Sequence, residues 1–201
     1  MRKSMHSRYS RILDAIKCWL LYPHVFVEWI EQNQGLLKSG ALITAEQRLF
    51  QYTAIDEYTR IRFLYGYEEQ STYSSADFAR RCLDWFKRRG IVIECIQTDN
   101  GFEFTNRFSA NPTGRQSLFE RTLAEMGIRH KLIRPYTPRH NGKVERSHRE
   151  DHNKFYAFHR FYSCADLNAQ LAVRLNRTNN LPMRPLGWLS PIEFLHEHCP
   201  R

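Results

Sequence analysis

The sequence predicts an α/β fold in which helices cover both faces of a mixed sheet, and three observations carry that prediction. "QYTAIDEY" and "RIRFLYGY" alternate apolar and polar residues with a period of two and are separated by a few polar residues, the pattern of an antiparallel strand pair. After them, helical patterns alternate with short apolar runs such as "IVIECIQT" and "IRHKLI", the pattern of helix-linked strands. Finally, 201 residues with 42% hydrophobic and 25% charged content suffice for one packed core but not for two full domains. Hairpin strands first and helix-linked strands later imply the mixed sheet.

Taken in order, residues 1–45 differ from the rest: basic and Ser-containing, then apolar without clean periodicity, then "EQNQGLLKSG". We expect a divergent N-terminal segment over 1–45, holding at most a degenerate first strand, and a core with C-terminal helices over 46–201. In "SSADFARRCLDWFKRRG", Phe78, Cys82, Trp85 and Phe86 recur at helical spacing and Gly90 supplies a stop. "IVIECIQT" reads as a buried strand ending at Asp99. Ser117 and Glu120 form a capping-box pattern for a helix that buries Phe119, Leu123 and Met126 and stops at Gly127. "IRHKLI" is a fifth strand, "RPYTPRHNG" a loop, and a basic helix begins near Lys143. Ser163 with Asp166, and Ser190-Pro191 with Glu193, open two further helices.

Charge narrows the partners. Thirty Lys and Arg against 21 acids give a net +9 and a pI near 9.5. Between Arg129 and Arg160 nine cations face three acids, so a net +6 is concentrated there. Such a stretch suits a polyanion, because neutralised phosphates release counterions whatever the base sequence; the alternative is a solvated helix face. Five scattered cysteines without a CxxC pair fit a reducing, cytoplasmic setting better than a disulfide framework. "CWLLYPHVFVEWI" contains Pro, His and Glu and is too short to span a bilayer, so no membrane role is expected.

The chemistry concentrates at two acids. Asp99 ends a buried strand, and Asn100-Gly101 then turns the chain away, leaving a carboxylate at the mouth of the sheet, where α/β folds bind ligands. The structural alternative is an Asx-turn. Glu145 opens the basic helix "NGKVERSHREDH", and its structural alternative is an ion pair with Arg149 at i+4. Brought together, two carboxylates under a cationic surface make a hard-oxygen site for Mg²⁺, which phosphodiester chemistry uses.

Five stretches together carry a resemblance: "QYTAIDEYTR", "STYSSADF", "QTDNGFEFTNRF", "GIRHKLIRPYTPRHNGKVERSHRED" and "NLPMRPLGWLSPIEF". Over residues 47–196 they resemble the catalytic core of insertion-sequence transposases of the retroviral-integrase-like superfamily. The resemblance implies an RNase H-like fold, an Asp-Asp-Glu triad holding two Mg²⁺ or Mn²⁺ ions, and cleavage and joining of DNA strands in transposition. It makes Asp99 the second acid and Glu145 the third. Their separation of 46 residues exceeds the usual family interval, with "SANPTGRQ" as the insertion. The first acid departs from the pattern: where it belongs, "HVFVEWIEQNQG" holds no Asp. Glu31 falls near the position and Glu28 is an alternative. Asp56 resembles a non-catalytic Asp of the second strand and stands as another alternative first acid.

The resemblance and the charge density also assign Lys143, Arg149 and His152, with Arg146 and Arg139 beside them, to the DNA backbone. Zinc ligation by His148, His152, His196, His198 or Cys199 has no complete ligand set behind it. The implied partners are element ends and target DNA, handled by a self-associated multimer. The family's upstream helix-turn-helix is missing from this sequence, and a truncated or frame-disrupted gene would account for that and for the missing Asp. Three functions follow: a transposase or integrase core, a non-catalytic DNA-binding remnant, and an RNase H-like nuclease that cuts without joining. A first-strand carboxylate beside Asp99 separates the first from the second, and joined products separate the first from the third.

Overall fold

The computed structural model describes residues 24–32, 49–107, 114–134 and 142–198, with 24–32, Gly142 and Lys143 as backbone alone. Five strands form one sheet: β1 (His24–Gln32), β2 (Leu49–Asp56), β3 (Arg62–Tyr67), β4 (Cys95–Thr98) and β5 (Arg129–Leu132). Their spatial order is β3-β2-β1-β4-β5. β2 pairs antiparallel with both β1 and β3, whereas β1 pairs parallel with β4 and β4 with β5. The helix-linked strands are therefore the parallel ones, as a crossover connection requires.

The helices are α1 (Thr72–Lys87), α2 (Leu118–Glu125), α3 (Gly142–Asp151), α4 (Cys164–Asn179) and α5 (Pro191–His198), and a π-helical segment (His152–Tyr156) continues α3. Alternation along β2 assigns them to the two faces. Tyr52 packs on Phe78 of α1 and on Phe104, which packs on Phe119 of α2, so α1 and α2 cover one side. Ile55 packs against Val144, and Gln51 donates to Asp151, so α3 lies on the other side. α4 joins α3 there: Leu167 of α4 lies against Gly66 of β3, where an added Cβ would sit 2.6 Å from its Cδ2 and the leucine side chain would have to shift. The core of aromatic and aliphatic side chains on the α1/α2 face includes Tyr52, Phe78, Phe86, Phe104, Phe119 and Leu123, all fully buried, each worth roughly 1.5–3 kcal/mol of burial free energy.

Local signals explain the helix ends. Ser117 and Glu120 make both halves of the capping box, and Gly127 leaves α2 with a φ of 70°, the left-handed conformation that terminates helices. Ser163 accepts from the Asp166 N–H at the start of α4, and Ser190 accepts from Glu193 N–H before α5. One buried position is corrected: Met126 is 41% exposed, because α2 ends at Glu125 and Met126 already turns out as its C-cap. "IVIECIQT" contributes only Cys95–Thr98 to the ladder. Among the described residues no helix is long and apolar enough to cross a membrane.

Candidate active site

β4 is buried at every position, and Asp99 follows its last residue. Thr98 hydrogen-bonds His130, whose ring packs on Phe119 of α2, so strand alternation assigns Gln97 and then Asp99 to the α3 side. The Gly101 N–H donates to Oδ1 of Asp99 at 2.9 Å, which makes the Asx-turn. The turn holds one carboxylate oxygen and stops the strand, so the structural and functional readings of this acid coexist. Burial pushes the Asp99 pKa up, partly offset by the Gly101 hydrogen bond.

A third acid stands beside it. Glu103 is fully buried, and its carboxylate folds back over Gly101, where an added Cβ would lie 2.6 Å from both oxygens. Gln70 donates to Oε2 at 3.2 Å, while Oε1 is buried with no hydrogen-bond partner. Burial, together with the charge of Asp99, pushes the Glu103 pKa up to about 7. This residue escaped the sequence reading. The signal lay in the stretch itself, an acid between two aromatics four positions after Asp99, but nothing local shows that the turn folds it inward.

Glu145 is exposed in the first turn of α3. The helix is held by its other face. Val144 packs on Ile55, and the buried Asp151 accepts from Arg62, from Arg174 Nε at 3.2 Å and from Gln51 at 3.4 Å. Burial pushes the Asp151 pKa up, but Arg62 and Arg174 outweigh it and hold the carboxyl below its usual range. Tyr156, in the π-helical continuation, donates to Gln51 Oε1 and closes the network. α3 thus lies across β1 and β2 with Glu145 at its leading end.

The register places the first-acid candidates. Phe26 is level with Gln97, and continuing that parallel register by two residues brings position 28 level with Asp99. Position 28 is also the partner of Thr53, which faces α3 with Gln51. Position 31 is the partner of Phe50, which alternation along β2 puts on the same face as Tyr52, and lies three residues further along. Asp56 is level with Val25, three residues short of position 28. That puts it roughly 10 Å along the strands and two strand spacings, about 10 Å, across from Asp99. Its carboxylate accepts from Thr59 N–H at 2.7 Å and Thr59 Oγ1 at 2.5 Å, a turn-forming role. The structure therefore does not bring Asp56 to Asp99, and the register favours position 28 over 31.

The expected DNA contacts divide. Arg146, Arg149 and His152 are exposed along α3 and its continuation, and Arg146 pairs with Glu150 at 3.7 Å. Lys143 is described as backbone only, and Arg139 lies outside the described residues. His148 is half-buried, its pKa pushed down to about 3 by burial and by Arg62. Among the described residues no cluster of three or more His, Cys, Asp or Glu forms a metal cage.

Residues 35–138 match the family model described as "Integrase core domain", and residues 126–191 match a second model with the same description. The "Putative integrase ORF3" of Spiroplasma virus SpV1-C74 is 32% identical over 118 residues, 57% of this chain and 32% of that protein. The chain thus spans about a third of the length of that relative. A chain of the simian T-cell lymphotropic virus intasome in complex with PP2A regulatory subunit B56 gamma superposes with a TM-score of 0.60 at 17% identity, covering 89% of this chain and 55% of that one. The catalytic core domain of BIV integrase gives 0.56 at 19% identity, covering 88% and 97%. At those identities the likeness shows the fold, which is RNase H-like; the family match covers more than half the residues, and with it the chain belongs to the integrase core domain family.

Proposed function

We propose that this chain is the catalytic core of a transposase or integrase that cuts and joins DNA, with Asp99, Glu145 and Glu28 as its three acids. One observation carries the reading: Asp99 follows the last residue of β4 level with position 28 of β1, and the helix that bears Glu145 packs on β1 and β2. The donors suit Mg²⁺ or Mn²⁺, being carboxylate oxygens alone, and the partnerless buried oxygen of Glu103 beside them is what a polar ligand or cation shell would satisfy. Asp99, Glu145 and Glu28 would hold two such ions, which when bound activate the attacking oxygen and stabilise the leaving one.

The remaining work falls to the protein. Asp99 is pre-positioned by its turn, Glu145 by the Asp151 anchor of α3, and Arg149 and His152 flank the acid to hold the DNA backbone. The substrate reaction is two phosphodiester exchanges. Water attacks at an element end and releases a 3′-hydroxyl; that hydroxyl then attacks a target phosphate in line, forming one phosphodiester as another breaks. No covalent protein intermediate is involved. Element ends and target DNA are the proposed partners, handled by a multimer.

Asp99→Asn and Glu145→Gln should each lower Mg²⁺-dependent nicking and strand transfer on a cognate end by more than about 100-fold. Mg²⁺ should also raise the melting temperature of the wild type by several degrees and leave Asp99→Asn unmoved, because only a folded-state site stabilises on ligand binding. Full activity in either variant would remove that acid from the site. Cut but unjoined products would make the chain a nuclease, and DNA binding without any cutting would make it a non-catalytic remnant.

A further inference from the structure

A second cavity, of about 430 Å³, opens on the flank of α3, between the β2–β3 turn and the Pro-rich loop after α4. Six cations line it, Arg60, Arg62, Arg146, Lys154, Arg174 and Arg184, against one lining carboxylate, Glu150. Arg62 and Arg174 are engaged by Asp151, and Arg146 by Glu150. Asp56 and Glu57 stand near Arg60 and favour its charge, although burial lowers its pKa. Two donors still point at nothing: Nη1 of Arg60 and Nε of Arg62 are buried without a hydrogen-bond partner.

Arg60 also sits at a φ of 64°, a conformation that costs a non-glycine residue roughly 1–2 kcal/mol. It is held there by its own N–H donating to Asp56 O at 3.0 Å. A strained turn that buries donor-only groups in a concave wall calls for a ligand made of acceptors. Guanidinium forks bind phosphate oxygens by paired, charge-assisted hydrogen bonds. The apolar wall of Ile55, Leu181, Pro182 and Met183 suits the sugar or base that accompanies such a phosphate.

Continuity selects the occupant. A shallow groove along α3 is lined by Glu145, Arg146, Arg149, Glu150, Asn153 and Lys154, and it shares Arg146, Glu150 and Lys154 with the cavity. A strand that passes Glu145 therefore meets Arg149, Arg146 and Lys154 along α3 before it reaches the cavity. We propose that the cavity seats a phosphodiester of the DNA strand leaving the catalytic acids, and so acts as a second nucleic-acid anchor. This inference rests on the proposal that the chain acts on DNA.

The test is fluorescence anisotropy of a labelled oligonucleotide carrying a single-stranded arm, measured from 50 to 200 mM salt, with wild type, Arg184→Glu, Arg60→Gln with Arg184→Glu, and Arg121→Glu. Arg184 is exposed, so its variant keeps the fold whatever Arg60 does. We expect the double variant to bind about tenfold more weakly, with Arg184→Glu following in part. The salt slope should shrink by about 1–2, while Arg121→Glu, exposed on α2 on the other side of the sheet, stays within about twofold of wild type. Unchanged affinity and slope in both cavity variants, with wild type still binding, would overturn the cavity alone. Absence of wild-type binding would overturn the DNA reading beneath it. Poly-glutamate binding that is lost in the cavity variants while DNA binding is not would assign the cavity to an acidic peptide and overturn this proposal.

Discussion

Glu103 makes the stability of the fold depend on pH. An acid whose folded pKa is about 7 and whose ordinary value is 4.5 keeps a proton in the folded state that the unfolded chain has already lost. Between those pH values the folded state binds more protons, so stability falls as pH rises from about 4.5 to 7. Glu103→Gln keeps the donor geometry and abolishes that slope. In thermal melts without metal it should gain on the order of 1–3 kcal/mol over wild type at pH 8 and little at pH 4. An equal gain at both pH values would mean that Glu103 is ionised throughout. The acids of β1 give a second residue-scale test. Glu28→Gln should abolish nicking and Glu31→Gln should leave it within a few-fold; the reverse would refute the register assignment. Asp99 and Glu145 were legible as candidates because each ends or opens an element that local patterns define. Position 28 was not separable from 31, because three residues apart on a strand is a question of pairing, and pairing is set by the neighbouring strands.

At the scale of elements, α3 carries Glu145, and what holds α3 is invisible to local reading. Asp151 meets Gln51 and Arg62 across sequence separations of 100 and 89 residues, so no window of helical periodicity contains the anchor. Removing one member of a buried charge network leaves the others unpaired in the interior, which costs about 3–5 kcal/mol. Asp151→Ala should therefore destabilise the fold by that amount in denaturant titrations and disturb Glu145 through the helix. If the loss were under about 1 kcal/mol, Arg62 and Arg174 would have found water, and the anchor would be elsewhere. The helix starts are the opposite case. Ser117, Ser163 and Ser190 act on N–H groups three residues away, so their caps were readable from the sequence. Ser117→Ala should cost about 1–3 kcal/mol in denaturant titrations, because it removes both the cap and the hydrogen bond that Ser117 Oγ donates to Phe104 O at 2.8 Å.

For the molecule as a whole, the hairpin and the helix-linked strands were readable from period and turns, and they imply a mixed sheet. Strand order was not, since β1 enters between β2 and β4 only through long-range pairing, and its sequence lacks the clean alternation that marks the hairpin. The charge, by contrast, is a sum over residues and survives any folding, so the net +9 is a property of the molecule that the fold only distributes. It places Arg149, Arg146 and Lys154 on one groove and Arg60 and Arg184 in the cavity that continues it. Binding that engages about four or five of these cations releases a comparable number of counterions, giving a slope of roughly −4 to −5 in log affinity against log salt. Oligonucleotide affinity should then fall by about 10²–10³-fold between 50 and 200 mM salt, with little dependence on base sequence outside the cognate ends. A slope near −1 would show that the cations lie apart from the nucleic acid, and the basic surface would then serve solubility alone.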